Sequence, residues 1–576
     1  MDLVFDIETD DLNATKVWCI VAQNPDTGEI FKFPPHKLEE GYQFLTTADR
    51  LIGHNIVGFD IPMVEKFGGV DLSKKEVIDT LILSRLFNPT RGGGHSLENW
   101  GYKLNYKKIE FEEYTEYTPE MLEYCVRDVQ LNTMVFRELR KESIGFSKDS
   151  IAIEHAVAKI IKQQETNGFK FDQQSATMLL AELREKMTAI EDEVHRTFKP
   201  KWVDDKLVTP YIKKDGTLSK RGLTDEEYDR CITQNTFDPF MRQTLQEFNL
   251  GSRKQIGEYL SDFGWKPDRF TPTGQPIVDE KTLSEITHIH EAKLIADFLM
   301  LQKRIAQIES WIDAVKDDGR VHGFVIPNGT ITGRMTHRKP NMAQVPSVSS
   351  PYGKECRACW IVDEGNVLLG VDASGLEIRM LAHYMDDEDF TKEILDGDIH
   401  TANQKAARLK SRNQAKTFIY ALMYGAGDEK LGKVVEGNTA DGRRAREHFF
   451  DSKPTFKSLR DRVQRAANKK FLKGLDGRKL YIRNNHAALN TLLQGAGAIV
   501  MKKALCLLSD RLNTTNTRHK FVANIHDEWQ IEVPECQANK VGQLAVRSIK
   551  EAGEYYNLRC PLDGEFKIGR NWSETH

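Results

Sequence analysis

The stretch KSRNQAKTFIYALMYGAG, residues 410–427, leaves the chain little conformational choice. Ser411 followed by Gln414 is a capping-box start and Gly425 with Gly427 is a stop, so a helix of about three to four turns is bracketed between them. Inside it Arg412, Lys416, Tyr420 and Tyr424 recur every four residues. At roughly 100° per residue, each step of four drifts only about 40°, so the four side chains form one slowly winding stripe. The stripe is cationic at its N-terminal end and aromatic beyond. A helix N-terminus attracts phosphate through its free amides and dipole, and Arg412 with Lys416 adds formal charge suited to a triphosphate. The tyrosines can lie against a sugar and stack on a base.

Acids stand where apolar strands end. In VLLGVDASGLEIRMLAHY, Asp372 follows a buried-type strand and opens a helix-like segment with Glu377 and Arg379. A helix N-cap is the bland reading of Asp372. In FVANIHDEWQIEV, residues 521–533, His526, Asp527 and Glu528 interrupt an apolar run, where an unpaired charge is costly to desolvate. A continuous strand would put Asp527 on the face of Ile525 and Trp529. The expectation is therefore two short strands turning around His526, Asp527 and Glu528, although the usual Gly or Asn of a turn is missing.

A second acidic set lies at the N-terminus. In LVFDIETD successive side chains alternate faces, so Asp6 and Glu8 point one way while Phe5 and Ile7 point the other. GHNIVGFDIPMV adds Asp60 after a polar turn containing His54 and Asn55, and EYCVRDV adds Tyr124 and Asp128 at i and i+4 of one helix face. Two carboxylates side by side repel unless a cation sits between them. Two divalent ions about 3.5–4 Å apart, held by hard carboxylate oxygens, are what phosphodiester hydrolysis requires.

The surrounding chain is too long for one core at 576 residues. Residues up to about 145 mix strand-like and helix-like runs as in an α/β domain, and helical spacing takes over from about 150 to 195. Residues 197–247 break that spacing with charge, Pro and Gly and read as an irregular insertion. A formal net charge of -4 lacks the overall basicity of a simple nucleic-acid binder. Locally, however, Arg443, Arg444, Arg446, Lys453, Lys457, Arg460, Arg462, Arg465, Lys469, Lys470 and Lys473 make a basic run fit for template phosphates. Of the eight cysteines only Cys356 and Cys359 form a CxxC, with no second half of a zinc site, so reduced thiols and a cytoplasmic setting are expected. No signal peptide or uninterrupted membrane-length apolar run is visible.

Asp6, Glu8, Asp60, Asp128 and Tyr124 together resemble the DEDD-type proofreading exonuclease of DNA polymerases in its tyrosine-bearing variant. DASGLEIR, the helix from Arg412 to Tyr424 and NIHDEW resemble, in order, motifs A, B and C of family A DNA polymerases, closest to the replicative enzymes of short-tailed bacteriophages. The likeness continues through PNGTITGRMTHRKPNMAQVP, LDGDIHTANQ, GLDGRKLYIRNNHAALNTLLQGAGA and the terminal GRNW. It implies an α/β and α+β multidomain chain: an RNase H-like exonuclease domain over 1–147, then a right-hand polymerase with a thumb over 148–330, palm over 331–385 and 501–576, and fingers over 386–500.

The resemblance also implies roles. Asp372, Asp527 and the backbone carbonyl of Ala373 would hold two Mg2+ ions, and Asp6, Glu8, Asp60 and Asp128 two more, with Mn2+ as a substitute. Tyr124 would orient the attacking water. Lys416 would contact the triphosphate and protonate the leaving group, with His400 and Arg412 as further phosphate contacts. Tyr424 would stack near the nascent pair, and Glu377 with Tyr420 would shape the sugar pocket. Arg334 and Gln494 resemble readers of minor-groove acceptors, and His526 would lie near the primer end.

Substrates would be primer-template DNA and deoxynucleoside triphosphates, with a phage helicase-primase and single-strand-binding protein as attendant partners in the host cytoplasm. The insertion is shorter than the one that recruits thioredoxin in some relatives, which argues against such a factor. No 5′ nuclease precedes the exonuclease motif, so nick translation is not expected. The rivals are a stand-alone 3′ exonuclease with a nucleic-acid-binding remainder and a catalytically silent polymerase-like scaffold. The first leaves Asp372 and Asp527 unexplained, and the second predicts lost metal ligands.

Overall fold

The structure, a computed structural model, describes residues 1–576 apart from the side chain of Lys281. It divides into two compact units, one comprising Met1–Asp172 with Ala314–His576 and the other Gln173–Asp313.

The N-terminal part of the first unit is built on a five-stranded sheet ordered β3-β2-β1-β4-β5. Its strands are β1 (Asp2–Thr9), β2 (Val17–Gln23), β3 (Ile30–Phe33), β4 (Arg50–Gly53) and β5 (Glu76–Asp79). β1 runs antiparallel to β2 and parallel to β4. Alternation sorts its side chains: Leu3, Phe5 and Ile7 enter one core, whereas Val4 packs with Cys125, Val126 and Val129 of the Pro119–Glu142 helix. Asp6 and Glu8 share the face of Val4 and therefore look toward that helix. Thr118 starts the helix by accepting a bond from the Met121 N–H, and Pro119 occupies the first helical position.

The C-terminal half centres on a four-stranded antiparallel sheet, in spatial order Lys520–Ile525, Glu528–Pro534, Asn366–Ala373 and Gly564–Gly569. Val541, Ala545 and Ile549 of the Ala538–Tyr555 helix fill its core. The Ala488–Thr514 helix lies within a segment long and apolar enough to cross a membrane, yet 72% of the most apolar window is buried in the protein. Its apolarity serves the core.

Beside this helix lies a four-charge network. Glu154 accepts from Arg478 Nη1 at 2.6 Å and Lys502 Nζ at 2.6 Å, and Arg478 Nη2 reaches Asp476 at 2.6 Å. All four side chains are buried. Removing any one member would strand its partners' charge in the interior, which costs about 3–5 kcal/mol. Asp476 and Arg478 lie in the turn of a hairpin, Phe471–Lys473 with Lys479–Tyr481, that ties itself to the N-terminal part. The Tyr481 hydroxyl donates to the Phe87 carbonyl at 2.6 Å, and Lys479 Nζ to the Ile144 carbonyl at 3.0 Å.

The second unit, Gln173–Asp313, lies inside the 148–330 stretch read from sequence as a thumb. Within the first unit, Trp360–Ile361, Phe169–Phe171 and Arg320–Val321 pair in a small three-stranded sheet. The second unit holds the long Gln173–Thr197 and His290–Asp313 helices. Residues 197–247 are not the irregular excursion their composition suggested. They form a hairpin of Lys201–Val208 with Phe240–Gln246, enclosing the Asp225–Gln234 helix, whose Thr224 and Glu227 make a complete capping box. Most of the hairpin's side chains are exposed, so its strands carry charge where buried strands would be apolar. All eight cysteines are free thiols, and burial pushes the Cys359 thiol up to about 12.

Candidate active sites

Asp6, Glu8, Asp60, Asp128 and Tyr124 converge. Asp60 heads the Asp60–Gly68 helix and accepts from the Ile7 N–H at 3.3 Å, which fixes it beside β1. Glu8, Asp60 and Asp128 are buried. Burial, reinforced by Asp60, Glu8 and Asp128, holds the Asp6 carboxyl far above the ordinary range, and burial likewise pushes Asp60 up to about 7. Carboxylates in such surroundings resist ionising until a cation arrives.

One cation is already there. Lys108 Nζ lies 2.6 Å from Asp128 Oδ2 and 4.8 Å from the centroid of the Tyr124 ring. Sequence reading missed it, because it stands in an aperiodic segment outside the motifs that carry the acids. The other Asp128 oxygen is buried without a hydrogen-bond partner. A hard carboxylate set with an unsatisfied buried oxygen fits divalent cations. Burial and the Asp128 charge raise the Tyr124 phenol well above its usual value, so it acts as a neutral hydroxyl. Asn55 serves differently: its N–H donates to Asp79 Oδ1 at 2.9 Å, organising the turn. The Cys125 thiol donates to the Asp6 carbonyl at 3.6 Å.

The second centre forms at a strand end and a hairpin. Asp372 is the penultimate residue of Asn366–Ala373, and the Ala373 N–H donates to the Asp527 carbonyl at 3.2 Å. Ile525 pairs with Glu528, so the turn is His526–Asp527 alone, one residue shorter than expected. His526 takes a φ of 59° in place of the missing glycine. Burial, with Asp527 and Glu528 alongside, pushes the Asp372 carboxyl up to about 7. Burial also raises Asp527.

Glu528 belongs to the strand and lies opposite Asp372. Its oxygens accept from Trp572 Nε1 at 2.6 Å and Gln530 Nε2 at 2.7 Å, and His576 Nδ1 lies 2.9 Å away. Burial opposes its ionisation, but His576, Arg357 and Trp572 hold it below the usual carboxylate range. Glu528 is thus a satisfied acid, held by Trp572 of the terminal GRNW and by His576, which no sequence motif marked.

The Arg412–Met423 helix presents the expected stripe. Ala415, Phe418, Ile419 and Leu422 are buried, while Arg412 and Lys416 are exposed. Ser411 caps it by accepting from Gln414 N–H, but the Gln414 side chain returns to the Lys410 N–H at 2.9 Å rather than to Ser411. Gly425, at φ 76°, ends it. A Cβ there would lie 2.1 Å from the His486 carbonyl oxygen. Arg412 Nε bonds Asp398 Oδ2 at 2.6 Å, beside His400, whose imidazole is kept neutral by burial and by Arg412 and Lys416.

Glu377 is held by Arg334 Nη2 at 2.8 Å and by the Tyr424 hydroxyl at 2.7 Å. Tyr424, the helix C-cap, thus bonds the glutamate, and Tyr420 lies within electrostatic reach of it. The Tyr420 ring lies 6.3 Å from that of Tyr424. His526 is exposed, Gln494 is half-buried on the Ala488–Thr514 helix, and no hydrogen bond among the described residues draws Gln494 into the acid pair. The basic run falls on the Thr439–Ser452 and Pro454–Ala467 helices and continues beyond. Several members are already paired: Arg446 with Asp428 at 2.5 Å, Arg443 with Asp428 at 3.2 Å, and Arg444 with Asp441.

Comparison with known proteins places this geometry. The model for DNA polymerase family A matches residues 226–574. A DNA-directed DNA polymerase of Enterobacteria phage T3 is 32% identical, and one of Escherichia phage T7 31% identical, each over 100% of both chains. A solved structure, the POL domain of Pol1 from M. smegmatis in complex with DNA primer-template and dNTP, superposes with a TM-score of 0.80. It shares 18% identity and covers 99% of this chain and 95% of its own, a likeness of fold.

Proposed function

The chain belongs to DNA polymerase family A, and from that premise we propose that its two acid centres are a polymerase site and a 3′–5′ proofreading exonuclease on one polypeptide. The protein is a DNA-directed DNA polymerase with a mixed α/β fold. The observation that carries the assignment of its active centre is the meeting of Asp372 and Asp527, with Tyr420 of the stripe within electrostatic reach of Asp527.

Polymerases of this family use divalent metal ions, and we assign two Mg2+ to each centre. Asp372, Asp527 and the Ala373 carbonyl would hold the synthetic pair, and Asp6, Glu8, Asp60 and Asp128 the hydrolytic pair. When bound, such ions acidify the attacking oxygen and neutralise the leaving one. Arg412 and Lys416 bind the triphosphate, and Lys416 hands a proton to the departing pyrophosphate. Arg412 gives up Asp398 to do so. Glu377, clamped by Arg334 and Tyr424, forms a fixed wall beside the sugar. At the N-terminal centre Tyr124 orients water through its neutral hydroxyl. Primer-template DNA and deoxynucleoside triphosphates are the substrates.

The test is primer extension and 3′ digestion with Mg2+ for wild type, Asp6→Ala with Glu8→Ala, and Asp527→Ala. Extension by Asp527→Ala at the wild-type rate refutes the polymerase site. Continued digestion by the double variant refutes the exonuclease.

A further inference from the structure

Lys108 sits in residues 106–118, which form neither helix nor strand, and the segment is anchored over the N-terminal centre. Trp18 Nε1 donates to the Tyr114 carbonyl at 2.9 Å. Phe111 stacks on Tyr124 with centroids 5.4 Å apart, and Tyr114 meets the same ring edge-on at 6.4 Å. These contacts aim the lysine inward: its side chain is 23% exposed and its partner Asp128 4%. The ammonium touches Asp128 and lies within electrostatic reach of Asp6 and Glu8.

Charge counting makes this placement consequential. Four carboxylates, Asp6, Glu8, Asp60 and Asp128, carry four negative charges when ionised. Two divalent ions balance them fully, leaving no charge for an ammonium to neutralise. One divalent ion leaves two charges uncompensated, which an ammonium reduces. A lysine at 2.6 Å from one ligand and a second divalent ion on that ligand also repel each other strongly in a water-poor site.

Resting on the exonuclease reading above, we propose that Lys108 is a built-in counter-cation that occupies the place of one divalent ion at Asp128 and must turn away before that ion enters. The cluster is then stable with one ion and loads its second only against this lysine. Lys108 thereby sets the divalent concentration at which the hydrolytic centre is complete, separately from the polymerase centre.

The test is Mn2+ binding to the full chain, followed by electron paramagnetic resonance for wild type, Lys108→Met and Lys108→Arg. Ions absent from Asp6→Ala with Glu8→Ala define the N-terminal site, and primer extension by each preparation reports folding at the other centre. The expected result is that Lys108→Met binds its second N-terminal Mn2+ at a concentration at least tenfold lower than wild type, while Lys108→Arg retains the wild-type isotherm. Equal isotherms for wild type and Lys108→Met overturn the proposal, and weaker binding in Lys108→Met overturns it as well. Because binding is read without hydrolysis, a wild-type chain that shows the expected isotherms but digests no 3′ end would refute the exonuclease reading alone.

Discussion

At the N-terminal cluster a lysine borne by the chain lies 2.6 Å from Asp128, whereas at the C-terminal pair Arg334 bonds Glu377, and Asp372, near a strand end, lies within electrostatic reach of Asp527 in the adjoining hairpin turn. The first cluster is enclosed by β1 and two helices, and its acids are largely buried. The second is partly open to solvent. The difference teaches how each centre tolerates its own charge before loading. An enclosed cluster cannot borrow water or counterions, so the chain supplies a cation. An open pair can, and the chain keeps its cations one layer away, on Glu377 and along the Arg412–Met423 helix.

If the centres are separate machines, disabling one leaves the other intact, which is the largest effect expected. Asp527→Ala should lower primer extension by about three orders of magnitude or more, as for loss of a metal-held transition state, with 3′ digestion retained. Steady-state assays of both activities check this, and parallel loss of both would break the comparison. Next is Lys416→Ala, which removes a charge-assisted phosphate contact of roughly 1.5–3 kcal/mol. Single-turnover incorporation should fall about 10- to 100-fold with digestion unaffected. Tyr420→Phe should raise the preference for deoxy over dideoxy substrate by about tenfold or more, the scale of one buried hydroxyl contact, as read from competing incorporation. An unchanged ratio would remove Tyr420 from the sugar pocket.

The open centre should also reveal itself by pH. Asp372 ionises near 7 in the folded chain, against about 4 when unfolded. Between those values the native state holds the proton more tightly, so this group's contribution to stability declines as pH rises from about 4 to about 7 and stays low above. Without divalent ions, melting should therefore occur at lower temperature at pH 8 than at pH 5, and Asp372→Asn should flatten that slope. Added Mg2+ should stabilise more at pH 8, where it meets a carboxylate, than at pH 5, where it meets a proton. The smallest effect on turnover belongs to Glu528→Gln, because Glu528 is tied to Trp572, Gln530 and His576. Turnover should change by less than about tenfold while the melting temperature drops, since a buried bond to a charged group carries about 1.5–3 kcal/mol.

How far the sequence disclosed these sites depended on period. Asp6 and Glu8 were legible because a strand alternates, and the Arg412–Tyr424 stripe because a helix nearly repeats every four residues. Asp527 was legible as a charge in an apolar run, yet the turn length was not, since His526 adopts a backbone conformation usually left to glycine or asparagine. Lys108 has no period to betray it, and Trp572 and His576 reach Glu528 from the far end of the chain. The sheet joining Phe169–Phe171, Arg320–Val321 and Trp360–Ile361 escaped notice because strands of two or three residues carry no pattern. Residues 197–247 misled because an exposed hairpin can be as charged as a loop.

The hairpin that bonds Phe87 and Ile144 also anchors the Glu154 network, and both acid clusters lie in one compact unit. If the N-terminal cluster trims 3′ ends, the newly made strand has to do the travelling, unpairing from its template to reach it. Under the exonuclease reading proposed above, a mismatched end would unpair more readily than a matched one, and error correction would be a race timed by the melting of DNA.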